Sequence, residues 1–374
     1  MKKSGNGWQI KSLGEVLDFH YGKGLPKLFR EKDGEFPVFG SNGIVGYHSK
    51  YFVEGPCLVI GRKGSAGEVQ YSEKNCWPID TTYYVKKSEN YSLVFFYYLL
   101  RKLNLSQFDK STAIPGLNRN DAYRIKIPFP TLSIQKQIAE ILEKADQAKQ
   151  KRKEANKLTE QFLQSAFIEM FGDPVKNPKG WEVRQLIELV EKFQYGTSIK
   201  SSQEGIPVLR IPNIVQGIID VTELKRVQLS IGEEKSLVLN NGDILFVRTN
   251  GNPDFVGRCA LFDLKDKFVF ASYLIRAIIK QKILDPQFLV YLLGNANYRS
   301  VVRSKCSTTA GQFNINTKGL GCLPIILPPL SLQQQFSELV QKTEALKEKQ
   351  KASGKELENL FNSLMQKAFK GELT

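Results

Sequence analysis

Hydrophobic residues recur at alternating intervals of four and three along two long segments of the chain. The pattern runs from Ile134 to Ala166 in the first segment and from Leu332 to Leu364 in the second. Such spacing places an apolar stripe along one side of a helix and is typical of a coiled coil. A helix over residues 132–171 would be about 60 Å long at about 1.5 Å per residue. The pattern therefore predicts two long helices, which we expect to pack as an antiparallel coiled coil.

The stripe of each predicted helix turns polar near its middle, at Arg152 and at residues 350–353. In an antiparallel pair these positions would meet and fix the register at some cost in stability, so Arg152→Leu would loosen the orientation of the helices. A solvated helix with no such role is the alternative, and Gly354 favours a local break. Ser331 and Gln334 fit a capping box at the start of the second helix. The stripe positions are Ile134, Ile138, Ile141, Ala145, Ala148, Arg152, Ala155, Thr159, Phe162 and Ala166, then Leu332, Phe336, Leu339, Thr343, Leu346, Gln350, Ser353, Leu357, Leu360 and Leu364.

The segments that precede the two helices mix short apolar runs with glycine and proline. Runs such as CLVIGRKG and DILFVRTN are typical of strands, whereas YSLVFFYYLLRKL and DPQFLVYLLGNA are typical of helices. Each segment is therefore predicted to be an α+β domain. The expected division is a domain over 1–130, a helix over 131–173, a second domain over 174–328 and a second helix over 329–374.

The same landmarks occur twice in the same order. Trp8 matches Trp181, and the Tyr-Gly pair at 21–22 matches the Tyr-Gly pair at 195–196. The runs YYLL, STAIPGLN and PTLSIQKQI are then answered by VYLL, STTAGQFN and PPLSLQQQF, while the offset grows from 173 to 202 residues. A duplicated unit with insertions in its middle has this property, so the sequence predicts an internal pseudo-two-fold repeat.

The net charge of +15 is not spread evenly along the chain. Residues 1–130 and 174–328 each carry +7, whereas residues 131–173 carry 0 and residues 329–374 carry +1. A basic balance favours a polyanionic partner, of which nucleic acid is the commonest. Two basic modules joined by neutral helices therefore indicate two separate nucleic-acid contacts.

Catalytic and metal-binding patterns are missing from the sequence. His20 and His48 are its only histidines, and the five cysteines form no CxxC pair, which argues against a zinc site or a disulfide framework and favours a reducing cytoplasm. No Walker-type phosphate loop, GxSxG motif or Asn/Asp-Pro-Pro-aromatic methyltransferase motif occurs. No apolar run reaches about 18 residues, and the polar residues after Met1 give no secretory signal. We therefore expect no catalytic residue, metal ion or cofactor, and no membrane association.

Several motifs taken together resemble the specificity subunit of type I restriction-modification enzymes over essentially the whole chain. They are the Gly-Trp pairs at 7–8 and 180–181, the runs IPFPTLSIQKQIA and IILPPLSLQQQF that lead into the helices, and LQSAFIEMFGDPV, which closes the first helix. Residues 131–135 depart from the family, which more often has a second proline and an acidic residue there. The departure concerns the first turn of the helix.

The resemblance implies a non-catalytic subunit whose two target-recognition domains each read one half of a split, asymmetric double-stranded DNA target. It also implies two methyltransferase subunits docked on the helices and, for cleavage, restriction subunits. The base to be methylated would be flipped into the methyltransferase. A spacer of about 60 Å places the half-sites roughly one to one and a half duplex turns apart, a turn being about 34–36 Å.

The candidate DNA contacts lie in polar loops that follow apolar strands or precede the helices. Arginine suits bidentate contact to guanine and asparagine to adenine, while serine, threonine and lysine suit phosphate. A surface turn is the alternative for each. We expect Arg62→Ala to weaken recognition of one half-site by ~1–3 kcal/mol if it contacts a base, and all sequences uniformly if it contacts phosphate. The candidates are Arg62, Lys63, Ser65, Asn118, Arg119, Arg248, Thr249, Asn250, Asn252, Lys305, Thr309, Gln312 and Asn314.

Two other classes of protein are weighed against this interpretation. A fused restriction-methylation enzyme would need methyltransferase motifs or a nuclease core, which the sequence lacks. A coiled-coil scaffold or RNA-binding protein would show basic stripes with stacking aromatics on exposed strands. The aromatic residues here fall mostly in apolar runs such as VFFYYLL, which favours a role in the core.

Overall fold

A computed structural model describes residues 8–108, 116–215, 217–309 and 311–373, with the side chains of Phe108 and Thr309 outside the description. The chain divides into two compact units. Unit 1 comprises the residues up to Glu154 together with those from Gln350 onward, and unit 2 runs from Ala155 to Lys349. Each unit thus combines one α+β domain with parts of both long helices.

The elements of unit 1 begin with short strands and end in a long helix that continues into unit 2. The strands are β1 (Gln9–Ser12), β2 (His20–Tyr21), β3 (Phe36–Gly40), β4 (Gly43–His48), β5 (Cys57–Gly61), β6 (Val69–Ser72), β7 (Trp77–Pro78), β8 (Thr82–Lys86) and β9 (Lys126–Phe129). The helices are α1 (Leu93–Leu103), α2 (Arg119–Tyr123) and α3 (Leu132–Phe171), with 3-10 turns at Leu13–Glu15, Lys27–Phe29 and Leu105–Phe108.

Unit 2 repeats this order with additional strands. Its strands are β10 (Glu182–Gln185), β11 (Val190–Tyr195), β12 (Ile206–Leu209), β13 (Ile214–Val215), β14 (Ile218–Ile219), β15 (Lys225–Val227), β16 (Ile244–Val247), β17 (Thr249–Asn250), β18 (Cys259–Leu261), β19 (Val269–Phe270), β20 (Leu274–Ile279), β21 (Ser307–Thr309), β22 (Gln312–Asn314) and β23 (Pro324–Leu327). Its helices are α4 (Leu186–Leu189), α5 (Ile231–Leu237), α6 (Pro286–Gly294), α7 (Arg299–Ser304), α8 (Thr317–Gly321) and α9 (Leu330–Lys370), with a 3-10 turn at Ile211–Asn213.

The sheets of the two units have the same topology. The four-stranded sheet β2-β8-β5-β6 corresponds to β11-β20-β16-β18, and all neighbours in both are antiparallel. The three-stranded sheet β4-β3-β7 corresponds to β15-β12-β19, and in each the last pair is parallel. The two-stranded antiparallel pair β1-β9, which joins the two ends of the first domain, corresponds to β10-β23. The predicted mixture of helix and sheet and the predicted duplication are both confirmed.

Central strands β5 and β16 are apolar throughout because both of their faces are covered. Every residue of both strands is buried. In unit 1 helix α1 covers the sheet, with Phe95, Phe96 and Leu100 buried in the same core cluster as β5. Helix α6 occupies the corresponding place in unit 2. Burial on both faces explains why these strands read as continuous apolar runs rather than as an alternation.

One buried glutamine in each unit ties the start of the long helix to the domain. The side-chain oxygen of Gln135 accepts from the backbone N–H of Ser92 at 2.9 Å, and its nitrogen donates to the carbonyl of Pro130 at 2.9 Å. Gln333 makes the equivalent bonds in unit 2, to the N–H of Asp285 at 2.9 Å and the carbonyl of Pro328 at 2.8 Å. Both glutamines are fully buried.

The predicted capping box at the start of the second helix is wrong. Helix α9 begins at Leu330, so Ser331 lies inside its first turn rather than at the N-cap. The neighbouring Gln333, and not Gln334, makes the polar contacts at this helix start. The predicted break at Gly354 is also wrong, because α9 continues through this residue.

The apolar stripe predicted on the long helices is displaced by one position in places. Phe162, Leu346 and Leu360 are 49, 47 and 52% exposed, so their assignment to the stripe is wrong. The adjacent Leu163 and Phe361 are buried instead. Both belong to clusters that include strand and α1 or α6 residues of their own unit. The domain core, and not only a facing helix, therefore sets which side of each helix is buried.

Candidate nucleic-acid interface

Arg62 directly follows the buried strand β5 and is fixed by backbone groups. Its N–H donates to the carbonyl of Thr81 at 2.8 Å. Its guanidinium donates twice to the carbonyl of Asp80, from Nε at 3.1 Å and from Nη2 at 2.6 Å. The guanidinium carbon lies 5.4 Å from the ring centroid of Tyr21, within the range of a cation–π contact.

A second guanidinium lies against the same tyrosine. The Arg119 guanidinium carbon is 5.2 Å from the Tyr21 ring centroid, and its Nη1 donates to the carbonyl of Phe19 at 3.3 Å. Tyr21 remains 52% exposed. Neither Arg62 nor Arg119 takes part in any ion pair found among the described residues. Two positive charges are therefore held together at the surface without a described acidic partner.

Unit 2 contains the same arrangement around Arg248. Its N–H donates to the carbonyl of Tyr273 at 2.9 Å, and its Nη1 lies 3.5 Å from the carbonyl of Ser272. The guanidinium carbon is 5.0 Å from the ring centroid of Tyr195, which is 41% exposed. We refer to Tyr21/Arg62 and Tyr195/Arg248 as the stacked pairs.

Strand register shows that the stacked pairs occupy equivalent positions. Tyr21 is paired with Tyr83 and Tyr83 with Ile60, while Arg62 follows Ile60 by two residues. In unit 2 the corresponding residues are Tyr195, Ile275 and Phe246, and Arg248 follows Phe246 by two residues. A further backbone hydrogen bond also matches between the units. The N–H of Leu117 donates to the carbonyl of Arg62, and the N–H of Ile315 donates to that of Arg248, each at 2.9 Å.

Tyr83 supports the first stacked pair from below. Its ring is buried, its hydroxyl donates to the carbonyl of Leu117 at 3.3 Å, and the guanidinium of Arg62 lies 6.0 Å from its ring centroid. Burial, together with the neighbouring Tyr21, raises the pKa of Tyr83 to about 12. The hydroxyl is therefore protonated at neutral pH and available as a donor.

Five candidates of the second domain lie on one small three-stranded sheet, namely Thr249, Asn250, Thr309, Gln312 and Asn314. Strand β17 pairs with β22, so that Thr249 faces Asn314 and Asn250 faces Phe313. Strand β22 pairs in turn with β21, with Thr309 opposite Gln312. The backbone of Thr309 belongs to this sheet, but its side chain lies outside the described residues. In unit 1 an isolated bridge between Lys63 and Gly116 takes the corresponding place, and residues 111–115 of the predicted STAIPGLN motif lie outside the described residues.

Several asparagine candidates have local structural roles. The side-chain oxygen of Asn118 caps α2 by accepting from the N–H groups of Asn120 and Asp121. Asn250 accepts from the N–H of Asn252, and Asn252 accepts from that of Asp254, as turn asparagines do. These contacts occupy the side-chain oxygens and leave the amide nitrogens for other partners.

The remaining candidates are less constrained. Lys63 and Gln312 are exposed, and Ser65 is half-buried. Lys305 is exposed at the end of α7, outside the three-stranded sheet. Gly61, the residue before Arg62, must be glycine because of packing inside the domain. A Cβ there would lie 2.0 Å from the carbonyl oxygen of Ser65.

The tyrosines of the stacked pairs are missing from the candidates that sequence reasoning selected. Their only signal was the repeated Tyr-Gly pair at 21–22 and 195–196. The glycines of that pair are needed because a Cβ would lie 2.0 Å from the Ile79 carbonyl oxygen at Gly22 and 2.2 Å from that of Phe270 at Gly196. The repeat therefore marked a close backbone packing that fixes each tyrosine beside its arginine.

In the described part of the chain, no three or more histidine, cysteine, aspartate or glutamate side chains are grouped as a metal site. No helix in the same residues is both long and apolar enough to cross a membrane.

Comparison with known protein families decides the relationship of this chain. The sequence profile described as the type I restriction modification DNA specificity domain matches residues 5–160 and again residues 178–359. The chain belongs to this family. The two matches of the DNA specificity domain correspond to the two copies of the fold described above, so the resemblance predicted from the motifs is confirmed.

Curated relatives agree with the family assignment. The EcoKI specificity subunit of Escherichia coli (strain K12) is 28% identical over 270 residues, 67% of this chain and 58% of that protein. The chain therefore matches somewhat more than half the length of this relative. The MjaVIII specificity subunit of Methanocaldococcus jannaschii is 25% identical over an alignment that covers 98% of this chain and 93% of that protein.

Solved structures support the fold of this DNA specificity family member. The S subunit of a type I restriction-modification system from M. genitalium has a TM-score of 0.66 at 16% identity, covering 99% of this chain and 98% of the other. A chain from a structure of complex assembly in the type I R-M system has a TM-score of 0.56 at 19% identity, with complete coverage of both chains. The likeness extends over both copies of the domain.

Proposed function

We propose that this protein is the DNA sequence-specificity subunit of a type I restriction-modification enzyme. It would read a bipartite, asymmetric double-stranded DNA target and direct methyltransferase and restriction subunits to it. The observation that carries the proposal is the pair of equivalent domains with the same arginine–tyrosine arrangement beside different loop residues. Two such surfaces suit two half-sites of different sequence.

The distribution of charge supports contact with DNA by each domain. Residues 1–130 and 174–328 carry +7 each, and the segments outside them carry almost none. Arginine and lysine neutralise phosphates and release counterions, which supplies much of the affinity of DNA-binding proteins. The equality of the two charges fits two domains with the same task.

The long helices α3 and α9 would act as the spacer, packed as an antiparallel coiled coil. On this proposal the chain comprises recognition domains over 1–130 and 174–328 and spacer helices over 131–173 and 329–374. The spacer would carry two methyltransferase subunits and hold the half-sites roughly one to one and a half duplex turns apart. The chain itself would act in the cytoplasm without a cofactor and without catalysing a reaction. The partner subunits would supply methylation and cleavage.

A genome-wide map of methylated bases tests this function. The gene is deleted in its native host, and single-molecule sequencing compares the deletion with the parent and with a complemented strain. The expected result is loss of methylation at one split motif, two short specified blocks around an unspecified spacer, and its return on complementation. If every methylated motif survives the deletion, and the purified chain mixed with a random pool of duplexes enriches no sequence, the proposal is wrong.

A further inference from the structure

We propose that the stacked pairs Tyr21/Arg62 and Tyr195/Arg248 bind DNA phosphate at the same place in both units and contribute no sequence discrimination. On this view the loop residues that differ between the units distinguish the bases. The inference rests on the proposed function and divides its surface into a shared anchoring part and a variable reading part.

Identity across the repeat is the first argument. The stacked pairs are the same residues at equivalent register positions in both units. Their immediate neighbours differ, since Lys63 stands opposite Gly116 where Thr249 stands opposite Asn314. Two domains that read different half-sites cannot obtain the difference from a residue pair that they share. A contact to the phosphate backbone, which is the same at every sequence, is what two such domains have in common.

The hydrogen bonds of Arg62 are the second argument. Two of its five N–H donors bond to the carbonyl of Asp80, which leaves the donors of Nη1 and one of Nη2 directed elsewhere. No carboxylate among the described residues forms an ion pair with this guanidinium. The half-exposed ring of Tyr21 supports the guanidinium face. A fixed cation with spare donors can bind an anionic oxygen with little further loss of side-chain entropy.

The two units are not equal in charge at this point. Arg119 places a second guanidinium on the Tyr21 ring, 5.2 Å from its centroid. The matched backbone bonds of Leu117 and Ile315 make Thr317 its counterpart in unit 2. Unit 1 therefore presents two arginines where unit 2 presents one, and its DNA contact should depend more strongly on salt.

Unit 1 also offers a matched control. The Arg101 guanidinium carbon lies 5.1 Å from the ring centroid of Tyr97, a distance like that in the stacked pairs, and its Nη1 also donates to the Tyr97 hydroxyl at 3.0 Å. Its Nη1 lies 3.9 Å from a carboxylate oxygen of Asp146, which offsets the charge. If stacking on tyrosine alone were enough to bind phosphate, Arg101→Ala would weaken DNA binding as Arg62→Ala does.

The test measures DNA affinity of the purified full chain as a function of salt. The unaltered chain first selects a target from a pool of random duplexes. Dissociation constants are then measured for that target and for a scrambled duplex of equal length, between about 50 and 200 mM salt. Arg62→Ala, Arg248→Ala, Arg119→Ala, Arg62→Lys and the control Arg101→Ala are compared, with circular dichroism to check that each variant is folded.

We expect Arg62→Ala and Arg248→Ala each to weaken binding to the selected and to the scrambled duplex by the same factor, roughly tenfold. Affinity decreases with salt, and the steepness of log affinity against log salt should become smaller by about 0.9 for each arginine removed, including Arg119. Arg62→Lys should keep the slope, Arg101→Ala should match the unaltered chain, and every variant should select the same target.

A changed target, or weakening confined to the selected duplex, would show that an arginine reads a base and would overturn the inference. Unchanged affinity for both duplexes would overturn it too, because the stacked pairs would then not touch DNA. If the unaltered chain selects no sequence, the proposed function fails. The scrambled duplex still decides between phosphate contact and no contact in that case, and Arg248 gives a second reading if Arg62→Ala does not fold.

Discussion

Gln135 shows how a single side chain can connect a helix start to the domain beside it. Its carboxamide links a half-buried N–H at the N-cap of α1 to a buried carbonyl just before α3. Sequence reasoning placed Gln135 in a repeated run that leads into the first helix but gave its side chain no role, and at the start of the second helix it selected Ser331 and Gln334 rather than the equivalent Gln333. A glutamine near a helix start is common, and one of the two partners of Gln135, Ser92, lies 43 residues away in the chain.

We predict that Gln135→Leu loosens the start of α1. The substitution leaves the half-buried Ser92 N–H and the buried Pro130 carbonyl without their partner, and an unpaired buried polar group costs about 1–3 kcal/mol. The expected loss in free energy of unfolding is about 2–4 kcal/mol. Hydrogen exchange of the Phe95 and Phe96 amides, which reports this region alone, should accelerate accordingly.

Gln137→Leu is the control for this substitution, because Gln137 lies two residues further along α3 and is exposed. It should change stability by no more than about 0.5 kcal/mol. Equal exchange rates in the two variants would mean that the buried bonds of Gln135 do not hold α1. Gln333→Leu should act in the same way on the N-terminus of α6 in unit 2.

The site could be predicted in part at this scale. Arg62 and Arg248 were found because each follows a continuous apolar run, and the structure brings each beside a tyrosine. The tyrosines themselves could not be selected from the sequence, because Tyr21 and Arg62 become neighbours only through the strand β8 that separates them. The capping role of Asn118 depends likewise on where α2 begins.

The long helices show what periodicity can and cannot predict at the scale of elements. Spacing of four and three indicated helices α3 and α9 almost to their ends. It indicated only part of the buried side, with Ile138 and Phe336 buried as predicted, since an α-helix with 3.6 residues per turn drifts from a strict seven-residue repeat. Phe162 and Leu360 are exposed while Leu163 and Phe361 pack into the domain cores.

Gly354 allows a prediction about helix α9. A Cβ added there would meet only Cγ of Arg152, at 3.8 Å, an ordinary contact distance. Alanine should therefore be accommodated and should stabilise the helix by about 0.5–1 kcal/mol, the difference in helix propensity. Thermal unfolding of Gly354→Ala should show a raised midpoint.

The matched control is Gly172→Ala at the residue that follows α3. Gly172 has a φ of +79°, and a Cβ would lie 2.7 Å from Cγ of Pro178. The same substitution should here lower the midpoint, because alanine is strained at positive φ. If Gly354→Ala were also destabilising, the helix would require glycine at this position and the propensity argument would be wrong.

At the scale of the whole molecule, the duplication was predictable and the pairing of distant strands was not. The repeated landmarks lie where the chain packs closely or passes into a long helix, so they are preserved in both copies. The small sheet that brings Thr249 to Asn314 joins residues 65 positions apart. Such pairing depends on the folded domain, and its sequence signal is only a few polar residues in two loops.

Two substitutions in unit 2 test whether its contacts affect only one half-site, and whether a base contact and a phosphate contact have different effects. Gln312 is exposed on β22 among the candidates of unit 2, and a glutamine side chain can pair with adenine through two hydrogen bonds. If the two domains read different blocks of one split target, Gln312→Ala should lower the discrimination between bases at one position of one block by about 1–3 kcal/mol. The other block and the spacer length should stay unchanged.

Lys305→Ala is the comparison within the same unit, since Lys305 is exposed outside the small sheet and lysine suits phosphate. It should weaken all sequences alike and leave the selected motif intact. Selection from random duplexes with each variant, scored position by position, measures both effects. A Gln312 variant that altered both blocks together would mean that the two domains do not read independently, because a single contact in unit 2 would then determine recognition by unit 1.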